Sequence, residues 1–305
     1  MKNLSPYLIF DGMNFKKIAL AILLPALLSG CATSKKSPHT SPPQEQSPQS
    51  GYAPVNGIKM YYELHGPATE IPLLLIHGGG STINSAFSKF LPLISKNRRV
   101  IAIEEQGHGR TEGREGPVSF TQTADDMAEL LKYLKIQRAD IFGFSNGASS
   151  SMQLAIRHPA LVRNLIFASS FTKRSGAIDG FWNNFSPSKK CMLPEVLRQA
   201  FLKVNPSEDL AEKMCQKDYA RITKFIETPD KDVKKVTAPT LILMGDKDIV
   251  TVNHGRELTK VLAKGRLAVM LGDHGSYLGD ISASPGDPQI IQATALLVES
   301  FLVAN

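Results

Sequence analysis

Three polar residues far apart in the chain have the types that nucleophilic catalysis requires. Ser145 is the centre of the pentapeptide 143–147, which has the pattern Gly-x-Ser-x-Gly. Asp248 ends a Gly-Asp-Lys-Asp turn, and His274 lies in a Gly-Asp-His-Gly segment. A serine hydroxyl is a poor nucleophile near neutral pH, so it needs a base and an acid that orients the base. The chain supplies all three in the order Ser, Asp, His.

Each of these residues follows a short apolar run that is typical of a buried strand. The runs are Ile141–Phe144, Leu241–Met244 and Leu267–Leu271. Because the carboxyl ends of parallel strands meet at one edge of a sheet, we expect the three side chains to converge there. Apolar residues at helical spacing follow Ser145, which places it in a strand-to-helix turn. Such a turn forces positive φ on the serine, at a cost of about 1–3 kcal/mol.

The order of elements predicts an α/β fold with a mostly parallel sheet. A two-residue turn at Asn56-Gly57 predicts an antiparallel hairpin at its beginning. The segment 171–235 interrupts the alternation, since its apolar residues recur at helical spacing. We therefore predict a core formed by 51–170 and 236–305 with a helical cap at 171–235. Six apolar cap residues are candidates to line a pocket or to form the cap's own core: Phe171, Phe181, Trp182, Phe185, Met192 and Phe201.

Residues 52–305 resemble the α/β-hydrolase superfamily. The motifs that carry the resemblance are the apolar strand into His77–Gly80, the loop Glu105–Arg110, the pentapeptide 143–147, the turn Gly245–Asp248 and the loop at His274. The resemblance implies an α/β-hydrolase fold with an N-terminal antiparallel hairpin and a helical cap insertion. It also implies that no cofactor is needed.

The resemblance assigns a role to each residue of the set. It implies that Ser145 is the nucleophile, Asp248 the acid and His274 the base. Asp246 is the alternative acid, because it lies in the same turn. His254 is the alternative base, but it stands where a helix is predicted to begin.

The oxyanion hole should use two backbone amides. They are the amide of Asn146, at the start of the predicted helix, and one from the loop 78–80, for which we select Gly79. A glycine is needed there because a side chain would block the approach of the substrate oxygen. His77 and His108 are interpreted as structural residues that hold the glycine loops.

These residues predict a serine hydrolase that cleaves a carboxylic ester of a small, largely apolar substrate through an acyl-enzyme. A C–C bond hydrolase, an amidase or aminopeptidase, and a cofactor-free perhydrolase are alternatives on the same triad. A binding lipoprotein without activity is a further alternative. No Cys/His cluster has metal-ligand spacing, and no basic stripe interleaved with aromatic residues indicates nucleic-acid binding.

The N-terminus has the pattern of an export signal, with Lys16-Lys17 before an eleven-residue apolar run. The run ends in Leu-Ser-Gly-Cys, which resembles the lipobox of bacterial lipoproteins, whose cysteine is acylated. We therefore expect a signal peptide at 1–30, lipid on Cys31 and a disordered tether at 31–50. The expected location is the bacterial cell envelope, with the catalytic domain periplasmic or extracellular. Ala32 weakly favours the outer membrane.

Two cysteines remain in the exported part of the chain, Cys191 and Cys215. Export places them in a compartment that permits disulfides. The sequence leaves open whether they pair or stay as buried thiols. The formal net charge of the whole chain is +7, a mild basicity that favours solubility and is compatible with anionic lipid headgroups.

Overall fold

The computed structural model describes residues 49–305, and an eight-stranded mixed sheet lies at the centre of this part of the chain. The strands are β1 (Gln49–Val55), β2 (Ile58–His65), β3 (Leu73–Ile76), β4 (Val100–Ile103), β5 (Ala139–Phe144), β6 (Val162–Ala168), β7 (Thr240–Gly245) and β8 (Gly265–Met270). Their order across the sheet is β1-β2-β4-β3-β5-β6-β7-β8. The first two pairings, β1 with β2 and β2 with β4, are antiparallel, and all others are parallel. The predicted fold class is confirmed.

Helices cover both faces of this sheet. Within the described residues they are α1 (Ile83–Phe87), α2 (Leu91–Ile94), α3 (Phe120–Tyr133), α4 (Asn146–Arg157), α5 (Glu195–Val204), α6 (Glu208–Thr223), α7 (Asp230–Val233), α8 (Val252–Val261) and α9 (Pro288–Val303). The position of β3 in the sheet explains why all four of its residues are apolar. Leu74 and Ile76 pack into the cluster that includes α3, α4 and α8, while Leu73 and Leu75 pack into the cluster that includes α1, α2 and α9. A strand buried on both faces has no polar positions to alternate.

The N-terminal hairpin turns at the predicted residues. Asn56 has φ 43° and Gly57 has φ 85°, the positive values that this turn requires. The predicted tether, 31–50, extends two residues too far, because Gln49 and Ser50 already belong to β1 and pair with β2. The signal peptide at 1–30, the lipidation of Cys31 and the rest of the tether lie outside the described residues.

The chain between β6 and β7 is helical, as the periodicity of 171–235 predicts, and contains α5, α6 and α7. It has a small core of its own, formed by Phe201, Ala211 and Met214. The division of the chain into a core and a cap stays a prediction. Over residues 49–305, no helix combines the length and the apolar character that crossing a bilayer would need.

Candidate active site

Ser145 occupies a strained turn between β5 and α4. Its φ is 55° and its ψ is −119°, a backbone conformation that residues other than glycine rarely adopt. The flanking glycines allow this turn to pack closely. A Cβ on Gly143 would lie 2.3 Å from the carbonyl oxygen of Gly147, and a Cβ on Gly147 would lie 2.4 Å from that of His77. The expected strand-to-helix context is therefore present, with the hydroxyl raised at the carboxyl edge of the sheet.

The structure brings the predicted serine, histidine and acid together in one hydrogen-bonded chain. Nε2 of His274 lies 3.0 Å from Oγ of Ser145. Nδ1 of the same ring lies 2.7 Å from Oδ1 of Asp248. In the neutral tautomer that fits both contacts, Nδ1–H donates to the carboxylate and Nε2 accepts from the serine. This is the arrangement that a general base needs to take the serine proton.

The two alternative residues lie elsewhere. Asp246 accepts a hydrogen bond from the amide of Gly272 at 2.7 Å, in an exposed position. His254 is buried, and its Nε2 accepts from the amide of Thr172 at 3.1 Å. In the structure, Asp246 therefore bonds to the backbone of the loop at Gly272, and His254 bonds to the backbone of the segment that follows β6.

Asp248 is suited to the acid position because it is buried and still ionised. Burial raises the pKa of its carboxyl, but the hydrogen bond and the charge of His274, the hydroxyl of Ser169 and the amide of Gly245 together bring the pKa below its usual value. Ser169 was not among the predicted site residues, and the hydroxyl that it supplies carries no local sequence signal.

The two predicted oxyanion donors lie at the same cavity as Ser145. The amide of Asn146 is the first of α4, where helix amides have no intrahelical acceptor. At Gly79 a Cβ would lie 2.4 Å from Nδ2 of Asn146 and 2.9 Å from Oδ2 of Asp218, so a larger residue there would displace both polar groups. The amide of the next glycine, Gly80, is occupied, since it donates to Oδ2 of Asp218 at 2.9 Å. Within this loop the geometry thus favours Gly79.

A buried cluster of charges joins the cap to this glycine loop. We call Glu105, His108, Asp218 and Arg221 the clasp. Arg221 reaches Glu105 at 3.0 Å and Asp218 at 2.6 Å. His108 Nε2 lies 2.8 Å from the other oxygen of Asp218. Since Asp218 and Arg221 belong to α6 and the other two follow β4, the clasp connects the predicted cap to the loop after β4.

The electrostatics of the clasp follow from these contacts. Burial raises the pKa of Asp218, but Arg221 and His108 outweigh it and hold the pKa well below its usual range. Burial lowers the pKa of His108, and the charge and hydrogen bond of Asp218 outweigh it, so the net shift is upward. Both shifts favour the charged forms of the two side chains. Sequence reading treated His108 as structural and missed Asp218 and Arg221.

His77 is the opposite case, a histidine that is buried in the neutral form. Its Nδ1 donates to the carbonyl of Gly78 at 2.7 Å, and its Nε2 accepts from the amide of Glu105 at 3.2 Å. Burial, followed by the charge of His108, lowers the pKa of His77 to about 3. A second proton on the ring would sit on Nε2 and break the hydrogen bond from the amide of Glu105.

This pKa predicts an acid-sensitive stability. Between its ordinary value of 6.5 and about 3, His77 binds a proton only in the unfolded chain. The free energy of unfolding should therefore fall as the pH falls through this window, by at most about 1.4 kcal/mol per pH unit from this group. Urea unfolding at pH values between about 6.5 and 4.5 measures the slope. His77→Gln, which keeps a donor and an acceptor but does not titrate, should flatten it; an unchanged slope would contradict the assignment.

A cavity of about 490 Å³ opens beside Ser145. Aromatic side chains from the cap form much of its wall: Phe171, Phe181, Phe185 and Phe225. Met192 also lines it, but is 89% exposed and so lies at the mouth. Two of the predicted pocket residues do not line it. Trp182 packs against other aromatic rings of the cap, and Phe201 is buried in the cap's small core.

The two cysteines that the sequence left open are bonded to each other in the structure. Their Cα atoms are 5.8 Å apart. Both line the cavity, so the bond ties the loop at its mouth to α6. Among residues 49–305, no group of three or more His, Cys, Asp or Glu side chains is arranged to hold a metal ion.

Comparison with known proteins gives consistent matches. A family model described as alpha/beta hydrolase fold matches residues 71–203. The chain is 26% identical over 230 residues to 2-hydroxymuconate semialdehyde hydrolase from Pseudomonas sp. (strain CF600), covering 68% of this chain and 81% of that protein. It is 25% identical over 275 residues to the serine hydrolase BPHL from Homo sapiens, covering 86% and 91%.

Among solved structures, the fold is similar to that of CarC, a serine hydrolase involved in carbazole degradation. The TM-score is 0.66 at 17% sequence identity, and the match covers 85% of this chain and 100% of that chain. At this identity the likeness shows the fold alone.

Proposed function

We propose that this chain, a serine hydrolase of the α/β-hydrolase superfamily, cleaves carboxylic esters of small, largely apolar substrates. The observation that carries the proposal is the continuous hydrogen-bonded chain from Asp248 through His274 to Ser145. Its serine end opens on an apolar cavity, beside two backbone amides that suit a developing oxyanion.

The reaction follows from these contacts. Nε2 of His274 takes the proton of Ser145 as Oγ attacks the ester carbonyl carbon. The carbonyl oxygen becomes an oxyanion, which the amides of Gly79 and Asn146 stabilise. The imidazolium, held by Asp248, then gives its proton to the leaving alcohol as the C–O bond breaks. Water attacks the acyl-enzyme by the same steps in reverse and releases the acid.

The wall of the cavity limits the substrate class. Rings of Phe171, Phe181, Phe185 and Phe225 suit an alkyl or aryl group, which they would remove from water. The carboxylate of Asp218 also faces this cavity, although both of its oxygens are hydrogen-bonded. Its negative charge is paired with the side chains of Arg221 and His108.

A C–C bond hydrolase is the second candidate. It is favoured by the match to a protein named for its action on 2-hydroxymuconate semialdehyde. Lys189 and Lys190 lie in the cavity lining on the cap side and are exposed, so they offer positive charge to a substrate carboxylate. The two candidates share the triad and differ in the bond that is broken.

The nucleophile can be identified by covalent labelling of the full-length protein. A fluorophosphonate probe should label the wild-type chain at Ser145, because the activated hydroxyl attacks phosphorus, displaces fluoride and forms a stable Oγ–P bond. Ser145→Ala should give no label. Ser149→Ala is a matched control, since Ser149 lines the same cavity and its hydroxyl bonds to that of Ser170 at 2.8 Å, away from His274. Label retained in Ser145→Ala, or lost in Ser149→Ala alone, would contradict the proposed role.

The substrate class is tested by turnover. We expect short-chain p-nitrophenyl esters to be hydrolysed and vinylogous diketone acids to react more slowly. The opposite order of kcat/KM would favour the C–C hydrolase.

We also propose that the enzyme is held at a membrane of the bacterial cell envelope by lipid on Cys31. The support is the sequence signal that ends in Leu28–Cys31. Cys31→Ser should release the protein from the membrane fraction without lowering its esterase activity.

A further inference from the structure

Two buried hydroxyls lie directly behind the acid of the triad. Oγ of Ser169, the first residue after β6, donates a hydrogen bond to Oδ2 of Asp248. The hydroxyl of Tyr277 lies 2.6 Å from the same Oγ. Both side chains are almost completely buried, at 1% and 0% exposure, and Ser169 lies in the lining of the cavity beside Ser145.

The hydroxyl of Ser169 completes the set of donors around Asp248. Oδ1 accepts from His274 at 2.7 Å and from the amide of Ile249 at 2.7 Å. Oδ2 accepts from the amide of Gly245 at 3.1 Å and from Ser169. Each oxygen thus has one backbone amide and one side chain. Without Ser169, Oδ2 would keep one bond, and the carboxylate could turn about its last torsion.

The backbone at Ser169 has a conformation that is rare for residues other than glycine. Its φ is 51°, a value that favours glycine. The strain of such a non-glycine residue is about 1–3 kcal/mol, and residues of this kind cluster at active sites. Ser145 has the same feature, with φ 55°. A glycine would relieve the strain at position 169, but it would remove the hydroxyl.

Proton counting fixes the direction of the bonds. Ser169 has one hydroxyl proton, which it gives to Asp248, so Tyr277 must donate to Ser169. The phenol remains protonated, because burial and then the charge of Asp248 raise its pKa well above the ordinary value. Tyr277 lies three residues after His274, in the same loop. Hydrogen bonds therefore link Asp248 through Ser169 to Tyr277, which belongs to the same segment as His274, the other partner of Asp248.

We infer that Ser169 and Tyr277 are positioning residues of the triad, which act through Asp248 and set the orientation and charge that it presents to His274. The inference rests on the proposed function, since it assigns a role in the same reaction. It differs from a role in packing, because it requires the two hydroxyls rather than the bulk of the side chains.

The test compares Ser169→Ala and Tyr277→Phe with the wild-type protein in ester hydrolysis over a range of pH. Groups that orient a reactive residue from behind, as known from metal sites, typically contribute about 10–100-fold to activity. We expect kcat to fall about tenfold in Ser169→Ala and less in Tyr277→Phe, with KM unchanged. Ser85→Ala is the control, because Ser85 is a buried hydroxyl of the α1 capping box.

The pH profile separates positioning from packing. Ser169→Ala removes one hydrogen-bond donor from Asp248, so its carboxylate carries more negative charge to stabilise the imidazolium. The acidic limb of the kcat/KM profile should therefore move to higher pH by roughly 0.5 pH unit. Asp280, another carboxyl that interacts electrostatically with His274, is unaltered in these variants. Ser85→Ala should lower the Tm without moving the limb.

The outcomes are distinct. If the wild-type protein hydrolyses esters, but both variants keep its kcat and its acidic limb and lose only Tm, the hydroxyls are structural and the inference is wrong. If Ser169→Ala does not fold, Tyr277→Phe decides by the same criteria, because it keeps the ring. If the wild-type protein neither hydrolyses esters nor reacts with fluorophosphonate, the proposed function has failed, and this inference fails with it.

Discussion

Asp248→Asn is expected to lower kcat for ester hydrolysis by about 10⁴-fold while the protein remains folded. The carboxylate accepts a hydrogen bond from Nδ1–H of His274 at 2.7 Å. An asparagine that turns its amide nitrogen toward the ring would require Nδ1 to accept. The ring proton would then lie on Nε2, which could no longer take the proton of Ser145. The loss therefore comes from the wrong tautomer, and KM should change little.

Asp246→Asn is the matched control for this prediction, because it makes the same substitution in the same turn. Its carboxylate accepts from the amide of Gly272, and an asparagine oxygen can accept the same bond. We expect nearly the wild-type kcat. The measurement is steady-state hydrolysis of a chromogenic ester, with the Tm of each variant as a check on folding. A large loss in Asp246→Asn with little change in Asp248→Asn would reverse the assignment of the acid.

The comparison of Asp246 with Asp248 also shows how far sequence reasoning reaches. The sequence places an acid after β7 because a buried apolar run ends there, and both aspartates satisfy that rule. The choice between them depends on the conformation of the turn. In the structure the turn directs Asp246 to the loop at Gly272 and Asp248 into the interior. No periodicity in the sequence encodes that difference.

The clasp was beyond sequence reasoning for another reason. Its partners are separated by 110 residues for His108 with Asp218 and by 116 for Glu105 with Arg221. In the sequence of α6 these charges look like those of a solvated helix. A weak signal does exist: Ala211 and Met214, which are buried, lie on the same helical face as Asp218 and Arg221. Only the position of the cap against the loops of the core turns that face inward.

Arg221→Met should lower the free energy of unfolding by about 3–5 kcal/mol, which is the typical result when one member of a buried ion pair is removed. The guanidinium is 1% exposed and bonds to Glu105 and Asp218. Methionine fills much of its volume but donates no hydrogen bond. Two carboxylates would then remain in the interior, with only His108 to offset them. The cost comes from these unpaired charges rather than from a cavity.

Arg198→Met is the control, because it makes the same substitution at an arginine whose ion pairs are exposed rather than buried. Arg198 also pairs with two carboxylates, those of Glu195 and Glu208, but its side chain is 37% exposed. An exposed pair typically contributes about 0–1 kcal/mol, so this variant should unfold at nearly the wild-type urea concentration. If both arginine variants lose the same free energy of unfolding, burial does not explain the contribution of Arg221 and the prediction is wrong.

A double substitution tests whether the clasp acts as a unit. Glu105→Gln removes one of the two charges that Arg221→Met leaves unpaired, so the double variant should lose less stability than the two single losses added together. The coupling should lie in the range of about 0.5–3 kcal/mol that contacting residues show. Because Asp218 also holds the amide of Gly80, disruption of the clasp should weaken the link between the cap and the glycine loop. Ester hydrolysis by Arg221→Met should therefore be impaired even at urea concentrations where the protein is still folded.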